Sequence, residues 1–155
     1  MARAHARRGE IFLSHASTDR AFASKLAKLL RARRHRVWYS STNIAAAQEW
    51  HDQIGAALAR CTWFVVILSP SAVASPWVKR ELLHALNNPR YHEHIVPVLY
   101  RPCKWAALSW TLDQIQRIDF RKSFDEGCRA LLKVWGRRYV SRPIKVRRVQ
   151  PRRRR

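Results

Sequence analysis

Two side chains in the segment Ser75-Pro-Trp-Val-Lys-Arg-Glu-Leu82 have types and spacing suited to chemistry. Trp77 and Glu81 are four residues apart, which on a helix places them on one face, a turn from each other. Pro76 precedes both, and proline is best tolerated in the first helical turn, so the pair lies near a helix N-terminus. An indole can stack on a flat ring, and a carboxylate can stabilise positive charge that grows beside it. Spacing alone allows a plainer use, in which Trp77 packs on a neighbouring layer and Glu81 pairs with Lys79, Arg80 or His84.

Other chemistries lack their residues. The chain has four glycines, none in the spacing of a phosphate-binding P-loop or a GxGxxG dinucleotide turn, and no GxSxG elbow. His92 and His94 flank Glu93, but two histidines at i, i+2 do not make a metal set, and no metal is expected. Ser14-His15-Ala16-Ser17 offers no acidic cluster for a phosphoacceptor. Cys61, Cys103 and Cys128 are odd in number, without a CxxC, which fits neither a disulfide framework nor a zinc site and suits a reduced, cytoplasmic setting.

The elements that must position Trp77 and Glu81 follow from apolar patterning. Glu10-Ile-Phe-Leu-Ser14 reads as a buried strand feeding a helix, with Thr18 or Asp19 as its cap. Phe22, Leu26, Leu29 and Leu30 recur at helical spacing, and that helix ends in the basic stretch 31–36. Val37-Trp-Tyr39 is a second strand, followed by a polar loop and a helix carrying Trp50, Ile54, Ala57 and Leu58. Thr62 to Ser69 is apolar on both faces, as a fully buried central parallel strand requires. Ser69-Pro70-Ser71 ends it, and a turn through Ala74 and Ser75 leads to a helix from Pro76 to about Leu86. Ile95–Tyr100 and the weaker Gln116–Phe120 are the last strands, and Phe124–Trp135 the last helix, stopped by Gly136. Alternation of this kind predicts an α/β fold: a flavodoxin-like five-stranded parallel sheet in the order 2-1-3-4-5, with helices on both faces. Ligands of such sheets bind at the carboxyl ends of the strands, here 14–19, 40–47 and 69–76.

Charge divides the chain further. Of the net +21, residues 137–155 contribute ten Lys/Arg and no acid, and residues 1–8 three Arg, leaving 18 bases against ten acids over 9–136. The expected organisation is a basic N-terminal end (1–8), one domain (9–136) and a basic tail (137–155) suited to a flexible arm or to contact with nucleic acid or another acidic partner. No apolar run reaches the roughly 20 residues of a transmembrane helix, and Met1 to Arg8 lacks the apolar segment of a secretory signal.

Taken together, Glu10-Ile-Phe-Leu-Ser-His15, Val37-Trp-Tyr39, Trp63-Phe-Val-Val-Ile-Leu-Ser-Pro70 and Ser75-Pro-Trp-Val-Lys-Arg-Glu-Leu82 resemble the TIR domain family, its bacterial members above all, across residues 9–136. The resemblance implies the TIR fold and, for the enzymatic members, cleavage of the nicotinamide–ribose bond of NAD, by hydrolysis to ADP-ribose or cyclisation, in prokaryotic immune signalling or antiphage defence. NAD is then the substrate, with no cofactor besides, and self-association through TIR–TIR contacts is implied. Carried over by position, Glu81 is the catalytic carboxylate, expected as a partly exposed pocket group, and Trp77 an aromatic wall. Phe12, Leu13, Ser14 and His15 match the loop closing one side of the pocket, and Asn43 falls in the loop after the second strand. In that loop the family's acidic residue and Pro-Gly pair are replaced by Asn43-Ile-Ala-Ala-Ala-Gln48, and the cysteine that plant members often carry after the tryptophan is Val78 here.

A single carboxylate suits that reaction. The nicotinamide of NAD is a pyridinium cation that departs as a neutral ring, so no acid is needed to protonate it, in contrast to an ordinary glycoside. What needs stabilising is the cation developing on the ribose, and Lys79, Arg80 and the arginines around 31–36 are available to its phosphates. Two other classes stay open at this point: a non-catalytic TIR interaction module, and a nucleic-acid-associated protein acting through 137–155.

Overall fold

The computed structural model describes residues 9–39 and 47–136, with side chains from residue 51 onward in the second stretch. The expectations placed on 1–8, on 137–155 and on the loop containing Asn43 fall outside the described residues.

Five strands form one parallel sheet in the order β2-β1-β3-β4-β5, as the alternation of elements predicts. The elements run β1 (Ile11–Ser14), α1 (Arg20–Ala32), β2 (Val37–Trp38), α2 (Ala47–Arg60), β3 (Trp63–Leu68), α3 (Pro70–Val73), α4 (Pro76–Leu86), β4 (Ile95–Leu99), β5 (Ile118–Asp119) and α5 (Phe124–Lys133). Parallel neighbours need crossovers, and each helix that supplies one must bury an apolar stripe on the sheet.

Strand periodicity sorts the core into two layers. Phe12, Phe64, Val66, Leu68 and Leu99 face one side, where Ile54, Ala57 and Leu58 of α2 and Val78, Leu82 and Ala85 of α4 cover them. Ile11, Leu13, Val65, Ile67, Val96 and Val98 face the other, against Ala23, Leu26, Ala27 and Leu30 of α1 and Cys128, Leu131 and Leu132 of α5. β3 is sealed from Phe64 to Leu68, as the middle of a doubly covered sheet should be. Thr62 and Trp63 at its start are only partly buried, so full burial over 62–69 holds for the strand's interior and not for its entrance.

Several boundaries differ from the sequence expectation for local reasons. Ser69-Pro70 does more than end β3: the Ser69 hydroxyl accepts from the Ala72 N–H at 3.0 Å and Pro70 takes the first helical position, which starts the short α3. Ser75 repeats the device for α4, accepting from the Val78 N–H at 3.3 Å. Asp19 does occupy the cap position of α1, yet its side chain makes no cap hydrogen bond. The last helix is regular only to Lys133, and Gly136 adopts the left-handed φ of +66° that glycine tolerates best. The 3-10 turns Trp105–Ala107 and Trp110–Gln114, between β4 and β5, carry no sequence period that announces them.

Candidate active site

α4 begins just beyond the carboxyl end of β3, joined to it by α3, and so carries its first turns to the edge where β1 also ends. Ser14 is the last residue of β1 and follows Phe12 onto the α4 side of the sheet by strand alternation. Its Oγ donates a hydrogen bond of 2.6 Å to Oε2 of Glu81, and the two residues are 1% and 8% exposed. Glu81 lies on the inward face of α4 with Val78, Leu82 and Ala85. The ion pairing with Lys79, Arg80 or His84 that spacing alone allowed does not occur: all three are exposed on the helix exterior, and the partner of Glu81 is a neutral hydroxyl. Nor is Glu81 partly exposed, because its position on α4 turns it into the layer between helix and sheet.

Burial sets the ionisation of this carboxyl. Removing the anion from water pushes its pKa up from the usual 4.5 to about 7, and the Ser14 hydroxyl, bonded to the charged form, restrains the rise. Glu81 is therefore poised between acid and anion near neutrality, where a mechanistic carboxylate is useful.

A second serine–carboxylate pair lies at the same end. Ser69 Oγ hydrogen bonds to Asp19 Oδ2, and both residues are buried. The loop from Ser14 to Asp19 is thus tied to α4 at one end and to β3 at the other. Between the ties sits His15, its ring 5.9 Å from that of Tyr39 and its Nδ1 sealed without a hydrogen-bond partner. Burial lowers the His15 pKa, so the ring is held neutral. Sequence reasoning missed Asp19 as a site group and gave it to the helix cap; no spacing rule links it to Ser69, fifty residues on.

Trp77 is partly buried at the start of α4, with the Arg80 guanidinium 5.2 Å over its ring and the His51 ring of α2 6.1 Å away. Phe12 and Leu13 need correction as substrate-contacting side chains. Phe12 is wholly buried, its ring 4.9 Å from Trp38 and 5.4 Å from Phe64, a floor beneath Ser14. Leu13 is sealed in the opposite core layer, against α1 and α5, because one step along a strand reverses the face. The arginines at 31–36 are misplaced as phosphate ligands too. They span the end of α1 and the entrance to β2, at the amino edge of the sheet, and Arg31 is engaged with the Val37 carbonyl at 2.8 Å. The carboxyl edge instead carries Arg20 beside His15, Arg80 over Trp77, and Arg101 after β4. Among the described residues no group of three His, Cys, Asp or Glu could hold a metal ion, and no helix is long and apolar enough to cross a membrane.

Residues 11–132 match the TIR domain family. A curated relative, the 2′ cyclic ADP-D-ribose synthase BtTIR of Bacteroides thetaiotaomicron, is 29% identical over 107 residues, covering 66% of this chain and 36% of that protein. The chain thus spans about a third of that relative's length. Among solved structures, the TIR domain of the Toll-related receptor TRR-2 from Hydra magnipapillata superposes with a TM-score of 0.60 at 18% identity, covering 72% of this chain and 84% of that one. The TIR domains of the activated Roq1 resistosome superpose with a TM-score of 0.60 at 17% identity, covering 82% of this chain and 99% of that one. At such identities these structures speak to the fold.

Proposed function

The chain belongs to the TIR domain family, and from that premise we propose that it cleaves the nicotinamide–ribose bond of NAD, with Glu81 as the carboxylate that stabilises the ribosyl cation. The observation that carries the reading is the burial of Glu81 at the carboxyl edge of the sheet on a neutral partner, Ser14, with no cation paired to it among the described residues. A structural carboxylate at that depth would be expected to pair with a cation, since an unpaired buried anion is costly. The relative's name supports the substrate, because a cyclic ADP-ribose synthase must first break the same bond.

In the proposed step the C–N bond breaks and its electron pair leaves with the pyridinium nitrogen, which becomes neutral nicotinamide. Positive charge passes to the ribose as an oxocarbenium-like state. Anionic Glu81, in a site of low dielectric, is worth more there than it would be in water. Water then attacks and loses a proton to give ADP-ribose, or a hydroxyl of the same nucleotide attacks to close a ring. Trp77 supplies a wall for the departing ring, His15 a neutral lining, and Arg20, Arg80 and Arg101 the positive potential that two phosphates require. The setting carried with this reading is nucleotide-based immune signalling through assembled TIR domains.

The test is nicotinamide release from NAD by the purified chain across a range of protein concentrations, with Glu81→Gln in parallel. Loss of one preorganised electrostatic contact lowers the rate about 100- to 1000-fold. Equal rates for Glu81→Gln and wild type would sink the mechanism. Absence of nicotinamide at every concentration up to the solubility limit would sink the activity.

A further inference from the structure

The α4-facing layer of the sheet is apolar at Phe12, Phe64, Val66, Leu68 and Leu99, and the inward face of α4 is apolar at Val78, Leu82 and Ala85. Ser14 and Glu81 interrupt the two surfaces opposite each other. Two apolar side chains of similar volume would pack there at no cost in desolvation, so the polar pair is not explained by stability. Its geometry is specific. Ser14 sits at the end of an inner strand held by β2 on one side and β3 on the other, with Ser14 in register with Val66. Its hydroxyl engages Oε2 alone. Among the described residues Oε1 takes no hydrogen bond, and since it is not one of the sealed side-chain atoms left without a partner, it is the oxygen that keeps some exposure.

Resting on the role proposed for Glu81, we propose that Ser14 is its positioning residue: the hydroxyl, fixed by the sheet, holds the carboxyl by Oε2 and presents Oε1 to the reacting ribose. A glutamate has three side-chain torsions, and one buried hydrogen bond from a rigid donor selects among its rotamers. The same bond stabilises the anion over the acid, and so restrains the rise that burial imposes on the pH at which the group becomes competent. Among the described residues, charged and titratable groups on the surrounding elements do not compete for it. These are His15, Asp19 and Arg20 after β1, His51 and Asp52 on α2, and Lys79, Arg80 and His84 on α4. None of them pairs with the Glu81 carboxyl, and β3 and α3 contribute none.

The experiment reads the carboxyl directly. The 13C resonance of the Glu81 side-chain carboxyl is titrated in the apoprotein for wild type, Ser14→Ala and Ser14→Thr, and kcat and KM for NAD are followed over the same pH range. Ser14→Ala should move the Glu81 midpoint alkaline by about one pH unit. It should also lower kcat at its plateau about tenfold with KM within about twofold, as expected when an interaction specific to the transition state is lost. Ser14→Thr should restore both. If Ser14→Ala fails to fold, Ser14→Thr against Ser14→Val, equal in shape, makes the same comparison. An unchanged midpoint, or a kcat that does not fall, overturns the proposal. A wild-type protein that releases no nicotinamide while its Glu81 midpoint still responds to Ser14 overturns the NAD reading instead, because the titration is read without NAD.

Discussion

The two ends of the sheet bury polar groups among different neighbours. At the carboxyl end, Glu81 and Asp19 are each held by a serine hydroxyl. At the amino end the strands enter through a row of rings: Trp63 stacks on His94 at 4.1 Å and meets Trp135 edge-on at 5.3 Å, and Trp135 lies 4.9 Å from His35. In that row His35 Nε2 and Trp135 Nε1 are sealed without a partner, while His94 Nδ1 lies 2.9 Å from the Thr62 carbonyl oxygen. Cavities of about 660 and 460 Å³ also open at the amino end, both lined by Glu93, Ile95, Ile115 and Gln116. A ligand of ordinary size could enter either of them. The chemistry points to the other end, where a carboxyl is poised near neutrality and the strand termini converge, as is usual for binding in open parallel sheets. The difference separates two uses of burial: ring packing at the entrance to the strands holds the sheet together, and polar burial at their exit costs stability, a cost that the function proposed above would account for.

The largest effect expected from that contrast is on stability at Glu81. The unfolded chain ionises this group near 4.5 and the folded chain near 7, so folding takes up a proton between those values. The stability contributed by a raised carboxyl is present below pH 4.5, is lost as pH rises to 7, and stays lost above. Glu81→Gln has no such loss. At pH 8 it should be more stable than wild type by on the order of 3 kcal/mol, and at pH 4 the gap should close. Denaturant unfolding at the two pH values checks this. A mutant that is inactive and more stable at pH 8 is what a prepared carboxylate predicts, whereas a less stable one would make Glu81 a structural group.

His35 should respond in the opposite direction and by less. Burial lowers its pKa from 6.5, so the unfolded chain takes a proton that the folded one refuses, and stability falls as pH drops below 6.5. His35→Phe keeps the ring contact with Trp135 and removes the orphaned nitrogen, for a gain of about 1 kcal/mol near pH 7. The loss of stability on the acid side should flatten without vanishing, since His15 is depressed in the same sense. An unchanged acid limb in His35→Phe would remove the amino end from the pH response.

Period and punctuation in the sequence were enough for the strand order, the two-layer core and the placement of Glu81 on α4. Each of these rests on local rules, namely alternation, helical spacing and the Ser-Pro starts at Ser69 and Ser75. What the sequence did not reveal is long-range. Ser14 and Glu81 are sixty-seven positions apart, Asp19 and Ser69 fifty, and only the folded register of β1 on β3 brings their ends together. For Asp19 local rules gave the cap position correctly, but not that its side chain would serve Ser69 in place of the cap. The ring row at the amino end was hidden for the same reason, since Trp63, His94, Trp135 and His35 come from four separate segments.

Glu93 gives the smallest expected effect and the sharpest choice between the two ends. It lines both amino-end cavities and is the one carboxylate among their lining residues. Its setting differs from that of Glu81. Glu93 is exposed, at a left-handed φ of 63° in the turn before β4, and in that turn water competes for the carboxylate. An anion so hydrated stabilises a developing cation by little, because its field is screened and its solvent must reorganise as charge moves. Glu93→Gln should therefore leave nicotinamide release within about twofold of wild type and stability within about 0.5 kcal/mol. Rates of the two variants, measured side by side, decide the matter. If Glu93→Gln lost activity and Glu81→Gln kept it, the reaction would belong to the amino-end cavities, and the serine-held carboxyl at the exit of the sheet would be a costly piece of architecture with no chemistry to justify it.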